Sequence, residues 1–156
     1  MLFFLDINGV LNQRQEEFTI DEDCVQQLCR IAVMLDAKII LTSVLRTGYM
    51  KEYERCSPEI RLLRDALKRY GVDIFGRTVS GDSRFREIVT YLQNTKYEGF
   101  MIFDDDKSLF PAFENNHIYI VDPGTGFTEE DAKRVRHLQM LLTSEDKVMD
   151  EHWFQL

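Results

Sequence analysis

The sequence has no apolar run approaching the roughly 20 residues that a membrane helix needs, so no membrane span is expected. No basic leader or small-residue cleavage site precedes its first apolar run, so no secretory signal is visible and a cytoplasmic location is the expectation. Cysteine is scarce: Cys24, Cys29 and Cys56 are odd in number and lack paired CxxC spacing, which argues against a zinc site and for buried thiols in a reducing compartment. Positive charge is also in deficit, with 19 Lys and Arg against 27 Asp and Glu and a formal net charge of -8. Broad nucleic-acid binding neutralises phosphates with a basic surface, so it is disfavoured, and an anionic substrate would need locally clustered arginines. Repeats, low-complexity stretches and linkers are absent, and 156 residues suit one compact domain spanning 1–156.

What the chain does contain is a regular alternation. Short apolar runs occur at LFFLD (2–6), KIILT (38–42), VDIF (72–75), FMIFD (100–104) and HIYIV (117–121). Unbroken runs of this length suit strands covered on both faces. Helical stripes lie between them: Val25, Leu28, Cys29 and Ala32; Leu62, Leu63, Ala66 and Leu67; Phe85, Ile88, Val89 and Leu92; and Val135, Leu138 and Leu142. Ser57 with Pro58 reads as an N-cap followed by proline at the first helical position, Gly71 as a helix stop, and Thr128 with Asp131 as a capping box. Such alternation predicts right-handed crossovers and a three-layer, Rossmann-like α/β domain with a mainly parallel sheet of about five strands.

In such a sheet, ligands bind beyond the carboxyl ends of the strands. The residues there are Asp6 and Asn8 after the first run, Thr42 and Ser43 after the second, and Asp104, Asp105 and Asp106 after the fourth. Converging carboxylates repel one another unless a hard divalent cation such as Mg2+ sits among them. Asp6 is then placed to attack phosphorus while a hydroxyl hydrogen-bonds a phosphoryl oxygen. Gly9, directly after a strand, is read as a turn that needs positive φ. His117, His137 and His152 share no motif and are read as structural or exposed.

LDINGVLN, ILTSVLR, the arginine-bearing SRFREI and MIFDDD, in that order, resemble the four motifs of the haloacid dehalogenase (HAD) superfamily of phosphotransferases. The endings SVLRTG and VDPGTGFTEED are similar to small capless HAD domains, including those found with RNA-repair proteins. The resemblance implies a Mg2+-dependent phosphatase acting on a phosphomonoester through an aspartyl-phosphate. Asp6 would be nucleophile and metal ligand, with the Asn8 backbone carbonyl, Asp104 and Asp105 completing the metal set. Thr42 would bind phosphate, with Ser43 the alternative. Arg84 is preferred to Arg86 as the motif III cation, and Arg46 is a candidate substrate contact.

The resemblance also exposes a departure. The second motif I residue is usually an aspartate that protonates the leaving oxygen and then activates water, whereas Asn8 cannot exchange a proton near neutral pH. Losing general acid-base help costs about two to four orders of magnitude in rate. The alternative function is therefore a catalytically degenerate HAD-fold module that binds phosphate or a partner. A two-component receiver fits less well, because DDD follows the fourth strand and HIYIVDPG offers no strand-end lysine. Segments 12–21 and 43–57 are too short for an independent cap domain, so an open site is expected, suited to a phosphate on a macromolecule. A nucleic-acid end fits the resemblance and is disfavoured by the acidic balance.

Overall fold

The computed structural model describes residues 1–110 and 116–145, with side chains as far as Gln139. Five strands, β1 (Leu2–Leu5), β2 (Lys38–Leu41), β3 (Ile74–Arg77), β4 (Phe100–Asp104) and β5 (Ile118–Ile120), form an all-parallel sheet in the order β3-β2-β1-β4-β5. The helices are α1 (Glu22–Met34), α2 (Pro58–Lys68), α3 (Arg84–Gln93) and α4 (Glu129–Glu145). None of the described helices is long and apolar enough to cross a membrane.

Alternation along the strands sorts the core into two layers. Phe3, Leu5, Ile39, Leu41, Met101 and Phe103 pack with Val25, Leu28, Leu63, Leu67 and Val135 of α1, α2 and α4. Phe4, Ile40, Phe100 and Ile102 pack with Ile88 and Leu92 of α3 on the opposite face. Burial on both sides explains why the central strands read as continuous apolar runs.

Local signals account for the helix ends. Ser57 Oγ accepts from the Ile60 amide ahead of Pro58, and Gly71 takes φ +77° after α2. Thr128 and Asp131 cap one another, the Asp131 carboxylate accepting from the Thr128 amide at 2.7 Å and the Asp131 amide donating to Thr128 Oγ1 at 3.3 Å. All three cysteines are free and buried.

Several boundaries differ from expectation. In α2 the buried face is Ile60, Leu63, Ala66 and Leu67, while Leu62 lies outside it and is 59% exposed. The third strand starts at Ile74, because the Val72 amide is still tied to the Leu67 carbonyl at the end of α2. The fifth is only three residues long. DKSLF forms a single 3-10 turn, which Asp106 caps by accepting from Ser108. Two further 3-10 turns occupy part of the 43–57 segment. The side chain of Leu142 and all of His152 lie outside the described residues.

Candidate active site

Strand register sets the centre of the site. Leu5 pairs with Leu41 on one side and Phe103 on the other, so Asp6, Thr42 and Asp104 occupy the next row across three adjacent strands. The Asp6 amide bonds the Phe103 carbonyl at 3.0 Å and the Thr42 amide bonds the Leu5 carbonyl at 3.0 Å, which extends the ladder through that row. These residues stand two positions beyond Phe4, Ile40 and Ile102 and so point to the α3 side of the sheet. The first residue of α3 meets them there: Arg84 Nη1 lies 3.3 Å from Asp104 Oδ2 and 3.7 Å from Asp6 Oδ1. Two residues on, Arg86 is exposed and faces Asp82 at 4.0 Å. The helix therefore brings Arg84, and not Arg86, to the carboxylates.

Asp105 completes an acidic cluster. Carboxylate oxygens of Asp6, Asp104 and Asp105 all lie within 4.8 Å of one another. Burial pushes the Asp6 carboxyl upward, against the pull of Arg84. Burial first, then the charge of Asp6, lifts Asp104 to about 7. Asp105 also rises through burial, with Arg14 opposing. The all-oxygen donor set fits a hard divalent cation, which favours the ionised carboxylates that burial disfavours. Gly9 shapes this corner. It holds φ +82°, and a Cβ there would collide with Asp105 Oδ2.

The two candidate hydroxyls differ. Ser43 Oγ accepts from the Leu45 amide and caps the turn that begins at Val44, whereas Thr42 Oγ1 is buried with no protein partner. An orphaned buried hydroxyl in the same row as the Asp6 carboxylate is what a phosphoryl oxygen would satisfy. Arg46 turns inward. Its guanidinium pairs with Glu87 at 2.9 Å and donates to the Thr42 and Ser43 carbonyls and to Ser80 Oγ. Glu87 also accepts from the Gly81 amide, and Arg84 Nε stands 3.9 Å from its other oxygen.

Asn8 is half-buried, and its amide oxygen accepts from Asn12 Nδ2 at 3.2 Å. Asn12, only 1% exposed, organises the turn: its oxygen accepts from the Gly9 amide and its nitrogen also donates to the Thr19 carbonyl. Arg14 pairs with both oxygens of Asp105. Asn12, Arg14 and Glu87 were not singled out from the sequence. For Asn12 a signal existed, an isolated amide at the end of an apolar turn; Glu87 had only its i+3 spacing from Arg84, and Arg14 had none. The histidines lie away from the cluster: His117 stacks on Phe100 with ring centroids 4.2 Å apart, and His137 is exposed on α4. A groove of about 460 Å³ runs beside α3, lined by Val79, Ser80, Asp82, Glu87, Tyr91 and Asn94 among others, and of the site residues only Glu87 reaches it.

Comparison with known proteins bears on this arrangement in two ways. Searches of curated proteins and of solved structures each return no match. The sequence profile of the HAD domain in Swiss Army Knife RNA repair proteins, however, matches residues 2–132, which carry every residue of the cluster and its arginines, and the chain belongs to that HAD family.

Proposed function

We propose that residues 1–156 form a single, capless, Mg2+-dependent phosphatase domain acting on a phosphomonoester through an aspartyl-phosphate. The observation that carries this reading is the row of Asp6, Thr42 and Asp104 at one sheet edge with Arg84 set against it. Asp6, Asp104, Asp105 and the Asn8 backbone carbonyl would hold Mg2+, which when bound neutralises phosphoryl charge. A carboxylate oxygen of Asp6 attacks phosphorus, the bond from phosphorus to the leaving oxygen breaks, and that oxygen keeps the electron pair and takes a proton from solvent. Water then attacks the phosphoaspartate at phosphorus and gives a proton to solvent, and the bond from phosphorus to the Asp6 oxygen breaks, which releases phosphate and restores the Asp6 carboxylate. Thr42 and Arg84 donate to the phosphoryl oxygens. Ser43 and Arg46 act behind them, Ser43 by capping the turn and Arg46 by holding the Thr42 carbonyl. The family description and the open edge favour a phosphate at an RNA end. The net charge of -8 restricts contact to that terminus.

Asn8 supports a second reading, a domain that binds phosphate or a partner with little turnover, because residue 8 is an amide that cannot donate and recover a proton. Its side chain acts toward Asn12 as an acceptor, a role that a carboxylate retains, so Asn8→Asp fits the existing turn. The test is a phosphatase panel with Mg2+, run on this chain, on Asn8→Asp and on Asp6→Asn. It includes an alkyl phosphate, an aryl phosphate and an end-phosphorylated oligoribonucleotide. Asn8→Asp is expected to raise turnover of the alkyl phosphate about a hundredfold, the lower end of general acid catalysis, with a smaller gain on the aryl ester. Asp6→Asn should abolish turnover in either background. If Asn8→Asp stays at background on every substrate while Mg2+ and phosphate still bind, the binding module replaces the phosphatase.

A further inference from the structure

The turn that follows Asp6 carries one side chain with no assigned role and a well-defined geometry. Arg14 is held from behind, because its amide donates to the Pro123 carbonyl at 2.9 Å and Asn12 pins the turn to Gly9, Asn8 and Thr19. Its guanidinium crosses to Asp105, with Nε 2.8 Å from Oδ2 and Nη2 2.8 Å from Oδ1. The Asp105 side chain is 2% exposed and that of Arg14 is 56% exposed. Arg14 thus covers the carboxylate on its inner side and faces water on its outer side.

This pairing conflicts with the carboxylate's other task. Both Asp105 oxygens are occupied by N–H donors, and a cation that takes Asp105 as a ligand competes for the same lone pairs. With every carboxylate ionised, Asp6, Asp104 and Asp105 against Arg84 and Arg14 carry a formal charge of -1, which a divalent cation inverts. A guanidinium displaced from Asp105 stays at the rim, because its backbone is anchored, and its planar fork suits the oxygens of a phosphoryl group. We propose that Arg14 is a phosphate-binding residue that exchanges Asp105 for the phosphoryl oxygens of the substrate when a divalent cation takes Asp105. The proposal rests on the cation-dependent phosphatase reading of this site and adds a second arginine to it, paired with Asp105 where Arg84 meets Asp6 and Asp104.

The exchange has a signature that simple loss of structure lacks, because removing Arg14 moves two affinities in opposite directions. Calorimetry would titrate Mg2+ into the cation-free protein and vanadate into the Mg2+-loaded protein, for wild type, Arg14→Gln and Arg14→Lys. Arg14→Gln should bind Mg2+ more tightly and vanadate about tenfold or more weakly, the loss expected of a charge-assisted hydrogen bond. Arg14→Lys should recover part of the vanadate affinity. Unchanged vanadate affinity in Arg14→Gln, or a fall in both affinities, overturns the proposal while leaving the phosphatase reading intact. A wild-type protein that takes up neither Mg2+ nor vanadate overturns both.

Discussion

Replacing Arg46 with methionine tests how the site is held. Both side chains of the Arg46–Glu87 pair are buried, at 8% and 6% exposure, and Arg46 also carries the Thr42 and Ser43 carbonyls. The substitution leaves Glu87 with the Gly81 amide and with Arg84 at 3.9 Å, and it strips two buried carbonyls of a donor. Breaking a buried pair from one side costs about 3–5 kcal/mol. For a domain of this size each kcal/mol corresponds to about 2–4 °C, so the melting temperature should fall by about 6–20 °C. The double variant Arg46→Met, Glu87→Leu removes the stranded charge and should recover much of that loss, keeping a deficit of about 1–3 kcal/mol from the Thr42 carbonyl, since the Ser43 carbonyl still accepts from the amide of residue 46. Urea denaturation of the four proteins, followed by far-UV circular dichroism, gives the coupling energy. A single-variant loss below about 1 kcal/mol, the range of an exposed pair, would refute the argument. So would a double variant whose loss equals the sum of the two singles.

Two further outcomes follow from the acidic cluster. Burial lifts Asp104 from 3.8 to about 7, so the native protein keeps a proton that the unfolded chain releases; its contribution is complete below 3.8 and disappears as pH rises through 7. The cation-free protein should therefore melt higher at pH 5.5 than at pH 8, and either Mg2+ or Asp104→Asn should flatten that dependence in a thermal scan. Gly9→Ala should cost about 1–2 kcal/mol through its left-handed backbone alone. Because the added Cβ drives into Asp105 Oδ2, it should also weaken Mg2+ binding, as read by calorimetry.

Much of this fold was legible because burial on both faces erases alternation in the strands: LFFLD, KIILT and FMIFD announce themselves, and their last residues, Asp6, Thr42 and Asp104, form the row at the candidate site. Arg84 was reachable by the same logic, since the stripe of Ile88 and Leu92 fixes which way the start of α3 faces. Leu62 was misplaced because Leu62 and Leu63 are adjacent apolar residues, and only Ile60, one turn earlier, shows which of them faces the sheet. The supporting pairs were illegible for another reason. Arg14 and Asp105 are 91 residues apart, and Arg46 and Glu87 are 41 apart, so neither pair leaves a local pattern. An arginine in a polar turn carries no mark of the carboxylate it will meet.

The row of Asp6, Thr42 and Asp104 also divides the site by timescale. Adjacent strands are held about 4.8 Å apart by their ladder, so the backbone spacing between Asp6 and Thr42 can change only when the sheet itself opens. Amide hydrogens at Asp6 and Thr42, both bonded to neighbouring strands, should therefore exchange with solvent near the rate of global unfolding. The amides of the exposed residues 15–17, in the turn beyond Asn12, should exchange far sooner. Fast opening then belongs to that turn, while the row of Asp6, Thr42 and Asp104 belongs to the slowest part of the molecule.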